Sequence, residues 1–174
     1  MISRLPHPRI DHNEKQKIEV IRSLANCSGH TGIAGGQELD LKFENKKKSL
    51  QQIIAMQKKK TGRLFGFCCI APVIIAKKEN KMIKKFENIG SKIGLLFQIA
   101  DDLIDYKGDT KRVGKKTKKD HKQGKANLIS LLGYNNTVIY ADKLRFKIQK
   151  KLKSYGKKSN SLIKTLEYIL NRNK

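Results

Sequence analysis

Three aspartates fall within five residues in the run Ile99-Ala-Asp-Asp-Leu-Ile-Asp-Tyr106, at the end of an apolar segment. On a helix, Asp101 and Asp105 stand at i and i+4, one turn apart on one face, with Asp102 flanking them. Carboxylates about 6 Å apart at an effective dielectric of about 20 repel by roughly 3 kcal/mol per pair. The cluster therefore asks for a cation, and a hard divalent ion is the simplest one. Acids at the end of a helix also oppose its dipole, which argues against a purely structural role. Mg²⁺ keeps part of its water and is generally held by one or two carboxylates plus substrate phosphates. Acid and base thus read as placed around one phosphate-bearing ligand, with nearby lysines meeting its oxygens.

The elements that must position these groups are helical, since apolar residues recur at three and four and no β-type alternation runs over a useful length. The expected class is all-α. A first helix is expected from Glu14 to Leu41, its inner face reading Ile18, Ile21, Ala25, Gly29, Gly32 and Gly36. Glycine costs a helix roughly 1 kcal/mol relative to alanine, so this taper makes room for a ligand or a close neighbour. A second is expected from Ser49 to Ala76, loosened at Lys60-Thr61-Gly62 and kinked at Pro72. A third, Asn80 to Tyr106, carries Gly90, Gly94, Gln98, Asp101 and Asp105 along one side, so the glycines leave space below the carboxylates. Tyr106 to Gly124 reads as a polar, lysine-rich loop, and shorter helices follow at 125–132, 135–152 and 159–171.

At 174 residues the chain can make one domain with a core of its own or form part of a larger one. No run approaches a membrane span, and the start, with two prolines and several charges, lacks a signal peptide's apolar stretch; the expected location is cytoplasmic. Cys27, Cys68 and Cys69 lack metal-ligand spacing and fit small apolar core positions in a reducing compartment. The net charge of +24 invites a nucleic-acid reading, but 32 of the 39 basic residues are lysines spread over every segment, and arginine, the usual reader of base edges, is scarce. No specific nucleic-acid partner is expected.

The acidic run, with its preceding Gly94-Leu-Leu-Phe-Gln-Ile-Ala, resembles the second aspartate-rich motif of trans-isoprenyl diphosphate synthases, the polyprenyl synthetase family. Further blocks agree in order and spacing. Gly35-Gly-Gln-Glu-Leu-Asp-Leu41 is similar to the family's GGQ-x-x-DL, and Lys60-Thr-Gly-x-Leu64 to its KTG-x-L. Gly114-Lys115, Asp120 and Gly124-Lys125 are similar to the loop that follows the acidic motif, and the closing Tyr168 to Lys174 to the end of bacterial farnesyl diphosphate synthases. The resemblance implies an isoprenoid-synthase-type helical bundle. It also implies condensation of an allylic diphosphate (dimethylallyl or geranyl) with isopentenyl diphosphate, with Mg²⁺ as cofactor. By that resemblance Asp101 is a direct metal ligand, Asp102 and Asp105 bind metal directly or through water, and Asp101, Asp102 and Lys60 carry the catalysis. Lys60, Thr61, Gln98, Lys115 and Lys125 would contact or line the diphosphate, and Asp120 would orient a water or a lysine.

The sequence departs from the family in one large respect. Asp101 to Asp105 is its only DDxxD, and the family's first aspartate-rich motif with its paired arginines has no counterpart. The chain therefore resembles the C-terminal half of a synthase, a single partial domain over residues 1–174. It is expected to be weak or inactive alone, and to form a homodimer or a complex with a separate N-terminal half. A small departure is Ala126-Asn127, where the family usually has a hydroxyl residue. The alternatives are a non-catalytic partner subunit of an intact synthase and, favoured by charge only, a basic nucleic-acid binder.

Overall fold

The apolar residues of 89–100 recur on nearly every side of one long segment, which is what a helix surrounded by others requires. The computed structural model describes residues 14–113 and 126–171, and its regular elements are all helical, as the periodicity implies. They are α1 (Glu14–Ser28), α2 (Ile33–Phe43), α3 (Leu50–Gln57), a π-turn (Lys58–Gly62), α4 (Arg63–Ile75), α5 (Asn80–Val113), α6 (Leu128–Leu132), α7 (Tyr134–Lys153), a 3₁₀ turn (Gly156–Ser159) and α8 (Asn160–Asn171). None of the described helices is long and apolar enough to cross a membrane.

Helix α5, 34 residues and about 50 Å long, is the axis. Ile89, Ile93, Leu95, Leu96, Ile99 and Ala100 are buried along it, with α4 packed against it on one side and α7 and α8 on another. Helix α7 contributes Ala141, Leu144, Ile148 and Leu152 to this core, and α8 contributes Leu166 and Ile169. Gly133 and Gly156 take positive φ (77° and 60°) at the two ends of α7, a backbone that side-chain-bearing residues rarely adopt. At the far end of α4, α1 supplies a buried amide. Gln16 Nε2 donates to the carbonyl of Ile74 (3.2 Å), which also accepts from the Lys77 backbone N–H, and to that of Ile75 (2.6 Å) at the helix end.

Several expectations need correction. The first helix is two helices, interrupted at Gly29–Gly32, where a methyl group on Gly32 would fall 1.8 Å from the Cys27 carbonyl oxygen. The interruption swings the chain, so Ile18 and Ile21, expected inside, are 61% and 67% exposed, while Gly32 and Gly36 are buried. Space below the aspartates is also filled. A methyl on Gly90 would meet the Phe65 carbonyl oxygen at 2.4 Å, and one on Gly94 would meet Gly62 Cα at 2.7 Å. Gly90 and Gly94 therefore admit neighbouring backbone and leave no room for a ligand beside them. Helix α5 continues to Val113, beyond Tyr106, so the acidic run lies inside the helix and not at its end. The dipole penalty, confined to the last turn, does not apply there. Cys27 is buried and Cys69 half-buried, but Cys68 faces solvent.

Candidate functional site

The segment Lys58-Lys-Lys-Thr-Gly62 does not break the helix it interrupts; it widens it into one π-turn between α3 and α4. Such turns insert a residue into a helix and recur at functional sites, because the extra residue re-aims the side chains around it. Gly36 on α2 lies against it so closely that a methyl group would stand 2.2 Å from the Lys60 backbone nitrogen. One turn further along α2, Asp40 meets the lysine itself: Lys60 Nζ donates to Asp40 Oδ2, both side chains being 32% exposed.

On the α5 side of the π-turn a second set of contacts forms. Thr61 Oγ1 donates to Gln98 Oε1 at 3.1 Å, and Gln98 Nε2 donates to Asp102 Oδ1 at 3.2 Å. Gln57 Nε2 donates to the other oxygen, Asp102 Oδ2, at 3.1 Å. Gln57 and Thr61 are four residues apart on one helical strand, and Gln98 and Asp102 are four apart on α5. The four side chains thus form a polar chain, Thr61–Gln98–Asp102–Gln57, that holds the lysine-bearing turn against the acid-bearing helix. Both amide orientations follow from the bonding, since a carbonyl turned toward the carboxylate would repel it.

Of the residues singled out from sequence, Lys60, Thr61, Gln98 and Asp102 are brought into this one region. Asp101 is half-buried beside Asp102, and Asp105 is exposed one turn on. Lys115, Lys125 and Asp120 lie outside the described residues. Among the described residues no three His, Cys, Asp or Glu side chains converge to form a metal cage. Asp101, Asp102 and Asp105 therefore do not form a complete protein shell for an ion. Gln37 is exposed, and Phe97 packs on Phe65 with ring centroids 5.3 Å apart. His30 is exposed.

Two residues of the arrangement escape sequence reasoning. Asp40 was visible in the GGQ-x-x-DL block, but nothing there names Lys60 as its partner. Gln57 carries no local signal, because its contact with Asp102 spans 45 residues.

The polyprenyl synthetase family model matches residues 3–170. The farnesyl diphosphate synthase of Bacillus subtilis is 31% identical over 126 residues, which is 72% of this chain and 43% of that protein. The crystal structure of an FPP/GFPP synthase from Zymomonas mobilis is similar with a TM-score of 0.77 and 33% identity, over 90% of this chain and 52% of that one. A geranyltransferase from Helicobacter pylori, solved with magnesium and isoprenyl diphosphate, is similar with a TM-score of 0.74 and 29% identity, over 92% of this chain and 52% of that one. The chain spans about half the length of the curated relatives it matches. With a family match over nearly its whole length and an all-helical fold shared with these enzymes, the chain belongs to the polyprenyl synthetase family.

Proposed function

We propose that this chain supplies the diphosphate-binding and Mg²⁺-binding side of a short-chain prenyl diphosphate synthase, of the kind that makes farnesyl or geranyl diphosphate. The observation that carries the reading is the linkage Thr61–Gln98–Asp102, which ties the lysine-bearing π-turn to the acidic helix. The Helicobacter relative, bound to magnesium and an isoprenyl diphosphate, supports the choice of ligand.

In this reading Lys60, Lys115 and Lys125 hold the diphosphate of an allylic substrate, dimethylallyl or geranyl diphosphate. Thr61 and Gln98 line the same wall. Asp101, Asp102 and Asp105 hold the metal, directly or through water. Bound Mg²⁺ supplies charge neutralisation as the leaving diphosphate departs. Fixed ammonium groups act in the same sense, binding the charge that builds on the leaving group better than they bind the ground state. The double bond of isopentenyl diphosphate then attacks the allylic carbon, and the released pyrophosphate takes the proton whose loss restores a double bond. Asp101 to Asp105 is the only DDxxD in this sequence, so in this reading the chain holds the diphosphate from one side and full condensation needs a second acidic cluster. We place the protein in the cytoplasm.

The competing reading, a basic protein that binds nucleic acid, is separated by titrating labelled duplex DNA and an allylic diphosphate in parallel over rising salt. The proposal expects weak DNA binding that vanishes with salt, beside diphosphate binding that persists when Mg²⁺ is present. Tight DNA binding with no diphosphate binding would refute it.

A further inference from the structure

Gln57 is buried, at 3% exposure, and its amide is only half used. Its nitrogen donates to Asp102, while its carbonyl oxygen is enclosed and accepts nothing. Turning the amide over would set the carbonyl against the carboxylate and leave the NH₂ unpaired instead. A methionine would fill the same volume without an enclosed, unsatisfied carbonyl, so the amide has a local cost that packing does not explain. What the amide does achieve is orientation. With Gln98 on one oxygen and Gln57 on the other, the Asp102 carboxylate is fixed about its terminal torsion.

We propose that Gln57 is a positioning residue, which holds Asp102 and sets the register between the lysine-bearing π-turn and the acidic face of α5. The inference rests on the diphosphate-binding reading of this site. Groups that orient metal-binding carboxylates typically matter about 10- to 100-fold in metal affinity.

The test is calorimetric titration of inorganic pyrophosphate with Mn²⁺ in place of Mg²⁺, beside thermal melting, on the parent and four variants. Gln57→Met keeps the volume and removes the donor; Gln57→Asn keeps the amide and shortens its reach. Asp102→Asn and the double variant Gln57→Met/Asp102→Asn complete a cycle. Both Gln57 variants are expected to lose about tenfold in affinity. Gln57→Met is expected to melt within about 3 °C of the parent, since the lost bond is offset by removal of the bare carbonyl. In the Asp102→Asn background, Gln57→Met should cost nothing further. Parental affinity in either folded Gln57 variant overturns the inference alone, as does an equal loss in the Asp102→Asn background. Absence of binding in the parent overturns the reading of the site, and the inference with it.

Discussion

Lys60 has two competing partners: Asp40, which it meets in this structure, and the diphosphate it is proposed to bind. The pair with Asp40 is about one-third exposed, so solvent screening holds its contribution to stability to about 1 kcal/mol or less. Asp40→Asn should therefore lower thermal stability only slightly. Lys60→Ala should weaken diphosphate binding about 10- to 100-fold, the worth of a hydrogen bond between charged groups; calorimetry on both variants checks this. The two vicinal cysteines should also differ. Burial, reinforced by the neighbouring Cys68, pushes the Cys69 thiol up to about 11, whereas Cys68 is exposed. Mass spectrometry after brief iodoacetamide treatment near pH 8 should find label on Cys68 before Cys69. At this scale the sequence was informative where residue type and motif coincide, as at Lys60, Thr61 and Gln98. It was silent on Asp40–Lys60 and Gln57–Asp102, because pairing across 20 and 45 residues depends on how helices meet.

At the scale of elements, close backbone approach assembles the site. Gly36→Ala would drive a methyl into the Lys60 backbone at 2.2 Å, and backbone cannot swing aside as a side chain can. It should destabilise the chain by about 1–3 kcal/mol or more and weaken diphosphate binding as well, which denaturant melts and calorimetry would show together. The half-buried Lys92 adds a pH dependence. Its pKa is lowered, first by burial and then by Lys151, Lys58 and Lys147, so the folded chain disfavours the charged form. The penalty is complete below the folded pKa and disappears above the unfolded value of 10.5, so this group makes stability rise with pH across that interval. Lys92→Met should raise the neutral-pH melting temperature and flatten that alkaline rise. The helices themselves were legible from periodicity, and the weak point at Lys60-Thr61-Gly62 was placed correctly as the π-turn. The break at Gly29–Gly32 and the extension of α5 to Val113 were not, because glycine spacing cannot distinguish a helix face from a turn, and a polar helical end reads like a loop.

For the whole molecule, a net charge of +24 is set against several exposed apolar side chains. Ile18, Ile21 and Leu24 on α1, Leu41 on α2 and Leu64 on α4 are all exposed. Repulsion should keep the chain dispersed at low salt, and screening should let these faces associate, so sedimentation velocity should show larger species as salt rises. Ile21→Lys should oppose that shift. The all-helical class and the family were readable from ordered motifs along the chain, and the shared fold bears both out. The central claim is that the acidic run and the π-turn lysine together form a metal-dependent diphosphate site. Its most direct test is the affinity of geranyl diphosphate measured over a Mg²⁺ titration, in the parent and in Asp101→Ala. The account predicts affinity that climbs at least about tenfold with Mg²⁺ in the parent and does not respond to it in Asp101→Ala. Affinity indifferent to both magnesium and the substitution would contradict it.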